Sequence, residues 1–257
     1  MAHRLTGANP RLEQRRQQRL LGLLERKYRG KFSREITRAS KAMLAKYKAS
    51  GSVPATPDEH ELRLKVIYED LASDAVKRFG TRITDQGKSA GLVPETKNFA
   101  EFFSRIAGEY VLGEMVRERI VRVATQTRQG IVDEVLSGQS EGLGVAAIAR
   151  NIAKAIPSIS KQRGAVIART ESHGAANAGA DAAARATGLR LQKEWVATSG
   201  GRTRSAHARA DGQVVDMDQP FIVDGERLRY PGDPSGSAGN IINCRCGVSH
   251  IVLDEFD

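Results

Sequence analysis

The hydrophobic pattern of this 257-residue chain changes character once, at Gly188. Ahead of Gly188, apolar residues recur every three or four positions, the spacing that gathers them on one face of a helix. Beyond it, short alternating runs are separated by turn residues. Leu189 to Val196 reads as a strand. Phe221-Ile222-Val223, Asp224-Gly225 and Glu226-Arg227-Leu228 read as a hairpin, because Asp-Gly readily takes the positive φ angles of a tight turn. Tyr230 to Gly239 is turn-rich, and Val248 to Leu253 reads as a last strand. Helices followed by strands predict the α+β class: a helical N-terminal region, then a small α+β C-terminal domain with an antiparallel sheet.

The helical part divides at its breakers. Asn9 to Ser50 carries Leu20, Leu23, Leu24, Ile36, Ala39, Met43, Leu44 and Tyr47 at helical spacing, with Gly30 expected to break it. That stripe is narrow, so the helix needs a partner surface to cover it. Gly51 to Pro57 reads as a linker. Thr56, Pro57 and Glu59 then start a helix that runs to about Phe79, and Gly80 to Pro94 is looser. The pattern returns at Thr96 and ends at Ser137-Gly138. A short helix from Val145 to Ala155 is expected to stop at Pro157. From Ser160 to Thr187 a last helix is packed with Ala and Gly, so another element must approach its backbone closely. The expected division is a basic helical arm (1–55), a helical bundle (56–157) and an α+β domain (158–257).

Charge is distributed unevenly. The formal net charge is +10. Residues 1–50 hold 14 Lys or Arg against 3 Asp or Glu, a net of +11, and the rest of the chain holds 26 against 27. A basic segment of this kind is the footprint of a polyanion or acidic-surface binder. The candidate contacts are Arg11, Arg15, Arg16, Arg19, Arg26, Lys27, Arg29, Lys31, Arg34, Arg38 and Lys41. Aromatic residues are only 5%, with one Trp, too few for a surface that stacks the bases of single strands. No apolar run approaches the roughly 18 residues of a membrane span. Met1 to Pro10 has no apolar core, so no signal peptide is expected and synthesis in a bacterial cytoplasm is. Cys244 and Cys246, one residue apart, cannot staple distant parts of a fold, which fits a reducing compartment.

The C-terminal residues form an ordered series: Ile167-Ala168-Arg169-Thr170-Glu171, Asn177, Gly188, Lys193-Glu194-Trp195, Arg202 to His207, Asp211-Gly212-Gln213, Phe221, Pro231-Gly232-Asp233-Pro234 and Asn243-Cys244-Arg245-Cys246. In order and spacing, over about residues 145–253, this series resembles the Mu F-like head morphogenesis proteins of tailed phages. The resemblance implies a minor head (minor capsid) protein of the virion, located at the head interior or portal vertex. The partners it implies are the portal protein and the major capsid or scaffolding protein. Non-specific contact with the phage double-stranded DNA fits the basic arm; no membrane partner is expected. It implies no catalytic mechanism, and no enzyme activity is expected. Its motif residues are Arg169, Glu171, Trp195, His207, Asp211, Asp233, Asn243, Cys244, Arg245 and Cys246. Arg169 and Glu171 lie two apart on a helix and cannot share a face, so each is expected to find partners elsewhere in an internal network.

No cofactor is demanded by the sequence, but zinc is an alternative. His207, Cys244, Cys246 and His250 are soft ligands of the kind zinc takes. On a strand the even spacing of 244, 246 and 250 would put all three on one face. Against that stands a pair of small buried thiols and a hydrogen-bonded His207. His60 and His173 read as satisfied polar residues. Two other functions compete with the assembly reading. One is a metal-dependent hydrolase acting on nucleic acid or protein through Glu171, His207, Asp211 and the cysteines. The other is a prophage-derived basic DNA-binding protein.

Overall fold

In the computed structural model of the protein, α1 (Pro10–Ser50) is one unbroken helix of 41 residues. The structure describes residues 3–5, 9–94, 99–198, 200–201 and 203–253. Leu21, Leu24, Tyr28, Phe32, Ile36, Ala39, Met43 and Tyr47 are all buried, and each follows the last by three or four residues. The stripe expected to need a partner is therefore covered by the protein's own core. Gly30 lies off that stripe and does not break the helix. Its cost of about 1 kcal/mol is offset by buried side chains on both sides of it.

Four more long helices follow: α2 (Asp58–Ser89), α3 (Ala100–Leu112), α4 (Glu114–Ser140) and α5 (Val145–Ala186). The expected restart at Thr96 lies outside the described residues. Two expected breaks are corrected. α2 continues past Gly80, where the absent side chain leaves room for the ring of Phe103. α5 runs straight through Pro157, which it was expected to end at. Proline costs an internal helix about 3 kcal/mol. Here Ile152 and Ile156 before it and Ser160 after it are buried, and that packing holds both sides of the helix in place.

The chain forms two compact units. One comprises Glu25–Glu69 and Gly113–Ala168. It is wholly helical, with a core of Met43, Leu44, Tyr47, Ile131, Val135, Ile148, Ile152 and Ile156. A polar cluster is buried in it. His60 contacts Glu35 Oε1 through Nδ1 at 2.8 Å, and Arg38 grips the same carboxylate with two bonds of 2.9 Å. Burial alone would raise Glu35, but the hydrogen bonds from Arg38 and His60 hold it below its ordinary value. His60 is thus a satisfied core histidine.

The other unit comprises Met1–Leu24, Asp70–Leu112 and Arg169–Asp257. These units interleave along the chain, whereas the expected arm, bundle and α+β domain are consecutive stretches. Helices of 41, 32 and 42 residues each serve both units. Among the described residues this second unit holds all the strands: β1 (His3–Arg4), β2 (Leu191–Val196), β3 (Val214–Asp216), β4 (Phe221–Val223), β5 (Glu226–Leu228) and β6 (Gly247–Val252). It also holds two short helices, α6 (Ser205–Arg209) and α7 (Ala238–Ile241). An antiparallel sheet runs in the order β1-β6-β2-β3, and β4-β5 form a separate hairpin. Asp224 (φ 52°) and Gly225 (φ 79°) turn that hairpin as the Asp-Gly pair predicts. Trp195, Phe221, Val223, Leu228 and Val248 form the core between them.

The small residues of α5 are used as the sequence requires. A Cβ on Gly179 would stand 2.7 Å from Val76 Cα, so α2 and α5 meet backbone to backbone. Gly174 meets Tyr110 and the carbonyl of Gly232 in the same manner. Gly179→Ala should destabilise this unit by about 1–3 kcal/mol, because no side chain can move aside. Gly108→Ala, on the exposed face of α3 with open space around it, should instead stabilise by about 0.5–1 kcal/mol. Denaturant titration of both variants checks the pair; equal effects would contradict the close approach.

Candidate functional site

Between α7 and β6 the chain runs through Asn243-Cys244-Arg245-Cys246, and three helices grip its polar groups. From α5, Thr170 Oγ1 accepts the Asn243 amide at 3.1 Å and Arg169 donates to Asn243 Oδ1 at 2.9 Å. Further along α5, His173 Nε2 lies 2.5 Å from the Cys246 carbonyl, and Asn177 donates to the Pro231 carbonyl at 2.8 Å and to that of Cys246 at 3.4 Å. From α1, Gln14 and Gln18 both donate to the Arg245 carbonyl, at 3.1 and 2.8 Å. Asn243 takes φ 58°, a left-handed conformation that asparagine tolerates better than most residues.

The third grip is α6. His207 on that helix points Nδ1 at both sulfurs, 3.3 Å from Cys246 Sγ and 3.7 Å from Cys244 Sγ. Its ring stands edge-on to Trp195 at 5.6 Å, and Trp195 in turn packs on Phe221. His207, Cys244 and Cys246 are buried, and their ligand atoms lie within 4.8 Å of one another. The Cys244 thiol hydrogen-bonded to Cys246 holds Cys246 below the ordinary thiol value, and its proton is correspondingly hard to remove from Cys244. A cleft of about 280 Å³ opens beside the sulfurs, lined by Thr198, Gly200, Gly201, Thr203 and Arg204 among others.

Three of the four candidate ligands thus come together, and the fourth does not. Cys244 and Cys246 precede β6 rather than lying on it, so the even spacing that tied them to His250 does not apply. His250 pairs across the sheet with Lys193 and is fully buried near Asp181. Neither of its ring nitrogens has a hydrogen-bond partner among the described residues. Asp211 is held by Arg11 and by the Ala197 amide at 2.8 Å, away from the sulfurs' cluster. Glu171 is buried on α5. Asp233 is fully buried and accepts from the Arg229 side chain and backbone amide and from the Ser235 amide. Arg245 is half-buried. Arg202, in the motif series, lies outside the described residues. Asp181 and Arg185 form an ion-pair network between α5 and this region, with Arg185 also reaching Asp218 and Lys193 lying 4.0 Å from Asp181. Sequence reading did not anticipate Asn240, Gln14 or Gln18, since each matters only through a contact distant in sequence.

A family model described as "Phage Mu protein F like protein" matches residues 129–249. The chain is thus similar to the Mu F-like family over this segment. The Minor head protein GP7 of Bacillus phage SPP1 is 29% identical over 143 residues, which is 52% of this chain and 46% of that protein. YqbB of Bacillus subtilis, named only as uncharacterized, is 25% identical over 140 residues, again 52% and 46%. A protein of Enterococcus faecalis named NAD(+)–arginine ADP-ribosyltransferase EFV is 28% identical over 155 residues, 59% of this chain and 31% of that protein. The chain spans less than half the length of these curated relatives. No solved structure matches it. Within the Mu F-like match, two scattered motif residues acquire one physical reason: Arg169 and His207 both contact side chains of the Asn243–Cys246 segment.

The candidate polyanion contacts divide by environment. Arg11 is engaged with Asp211 and the Ala197 carbonyl, and Arg38 with Glu35 and Glu59. Arg16 lies 4.0 Å from the buried Glu13, and Lys27 and Lys31 sit over the Tyr28 ring. Arg15, Arg19, Arg26, Arg29, Arg34 and Lys41 are exposed on α1. Arg16 and Arg19 join Arg78 and Arg82 of α2 around an open cleft of about 590 Å³ that also includes Asp85. Among the described residues no helix is long and apolar enough to cross a membrane.

Burial drives both His173 and His250 down to about 4. For His173 the bond to Cys246 opposes the fall, while Arg245 and His207 add to it. For His250 Asp181 opposes it, while Lys193 and Arg185 add to it. Unfolded histidine titrates near 6.5, so between 6.5 and 4 the unfolded chain binds more protons. Stability should be full above about pH 6.5 and fall toward pH 4, by on the order of 3 kcal/mol for each histidine. Melting temperatures across that range test this. His250→Gln should flatten the dependence, and a wild-type profile level down to about pH 4.5 would contradict it.

Proposed function

We propose that this protein is a minor head protein acting in the head assembly of a tailed phage or prophage, at the portal or head interior, and that α1 contacts phage DNA without sequence preference. The observation that carries the first part is the Mu F-like segment together with the likeness to the SPP1 minor head protein. The likeness to an ADP-ribosyltransferase covers 31% of that protein and does not bring its activity to this chain. The hydrolase reading is weakened by the site itself, because Asp211 is committed to Arg11 and a backbone amide.

The DNA contact rests on how α1 sorts its charges. Two of its acidic residues, Glu13 and Glu35, are buried, where Arg82, Arg38 and His60 engage them. Its exposed face is left with arginine and lysine in excess of what the sequence count alone suggests. Such a face suits phosphate, with affinity supplied by counterion release.

Mass spectrometry of purified particles should find the chain, and its absence from particles and from head-assembly intermediates would overturn the assembly role. Deleting residues 1–50 is not a useful test of DNA binding, because α1 carries part of the core. Replacing the exposed Arg15, Arg16 and Arg19 with Gln leaves that stripe intact. The triple variant should bind duplex DNA more weakly, with the slope of log K against log salt reduced by about 0.9 for each phosphate no longer neutralised. An unchanged slope would remove DNA binding from these residues.

A further inference from the structure

We propose that His207, Cys244 and Cys246 bind a zinc ion, with the fourth coordination position held by water from the adjacent cleft. The ligand atoms already stand at coordinating separations. Tetrahedral zinc, with Zn–S about 2.3 Å and Zn–N about 2.0–2.1 Å, requires N···S distances of about 3.6 Å. His207 Nδ1 lies 3.3 and 3.7 Å from the two sulfurs.

The surroundings fix the imidazole in the tautomer a metal needs. Asn240 donates its Nδ2 to the Val223 carbonyl at 3.3 Å, which turns Oδ1 toward His207 Nε2 at 3.3 Å. Nε2 therefore carries the ring proton, and Nδ1 presents its lone pair to the sulfurs. An amide or carboxylate oxygen behind a ligating histidine is the usual outer partner of such a site. The sulfurs have backbone donors of their own: the Cys246 amide points at Cys244 Sγ at 3.5 Å, and the Thr198 amide at Cys246 Sγ.

Ligand chemistry selects the metal. Two thiols and an imidazole, with no carboxylate in the cluster, suit zinc rather than calcium or magnesium. Three protein ligands leave one position, and the cleft over Gly200 and Gly201 gives water access to it. Binding releases to solvent whatever thiol protons the pair still holds. The ion would tie α6 to the segment between α7 and β6, so the folded state alone can hold it and is stabilised by it. This proposal does not depend on the head-assembly reading.

The test uses the full chain, stripped with a chelator and titrated with zinc or cobalt(II) alone. One equivalent should bind and raise the melting temperature. Cobalt should give a near-ultraviolet thiolate charge-transfer band and visible bands of tetrahedral intensity, which shift when imidazole is added at the open position. X-ray absorption on the zinc form should show two sulfur ligands. Cys244→Ser and Cys246→Ser should abolish the thiolate band, and His250→Gln should keep it. His207→Cys guards against a site destroyed by misfolding: it should retain zinc with three sulfurs. Less than a tenth of an equivalent bound, or a site that survives both serine variants, would overturn the proposal. Cobalt bands indifferent to added imidazole would overturn the open position.

Discussion

Within Asn243 to Cys246 both cysteines are buried, Arg245 is half-buried and Asn243 is exposed, and the segment lies outside strand pairing, so its inward polar groups find partners elsewhere. An unpaired buried amide or carbonyl costs about 1–3 kcal/mol, and side chains from α1 and α5 satisfy this stretch, while His207 of α6 packs against its sulfurs. The Arg245 carbonyl takes two glutamine amides, the Cys246 carbonyl takes His173 and Asn177, and the Asn243 amide takes Thr170. Each partner lies some forty to more than two hundred residues away in sequence. Holding the segment therefore ties α1, α5 and α6 to the chain just ahead of β6.

The same need for satisfied burial explains α1. One face supplies core side chains along its whole length, and its buried acids are neutralised within the fold. The charged residues left exposed on the helix are all Lys or Arg. A helix so built is both a structural member and a charged surface, which is why removing it and neutralising it are different experiments. α5 makes the complementary compromise: glycine and alanine weaken it as a helix but admit Val76 and Gly232 against its backbone.

Periodicity made the helices, the β2 strand, the Asp-Gly hairpin and the last strand legible, since each depends on residues near in sequence. The small-residue run signalled close packing correctly, though not against what. The breaks expected at Gly30 and Pro157 failed because packing on both flanks outweighs a local propensity of about 1–3 kcal/mol. β1 pairs only two residues with β6, too few to show alternation. At the site, the Cys-x-Cys pair and His207 stood out by residue type. His250 lies on β6, which begins only at Gly247, so the even spacing from Cys244 and Cys246 does not put it beside them. Asn240, Gln14 and Gln18 carry no signal of their own, because an amide becomes significant only once the fold sets it against a particular carbonyl or ring nitrogen.

The site depends on the Asn243–Cys246 segment being held in place by side chains of α1 and α5 rather than free as a surface turn, and native-state hydrogen exchange of its amides distinguishes the two. In metal-free protein the Asn243 and Cys244 amides, bonded to Thr170 and to the Ile241 carbonyl, should exchange only when their whole unit unfolds, as slowly as the central strand residues of β6. Exchange of these amides at the rate of an exposed turn such as Asp216–Gln219, with β6 still protected, would show the segment to be a surface loop after all.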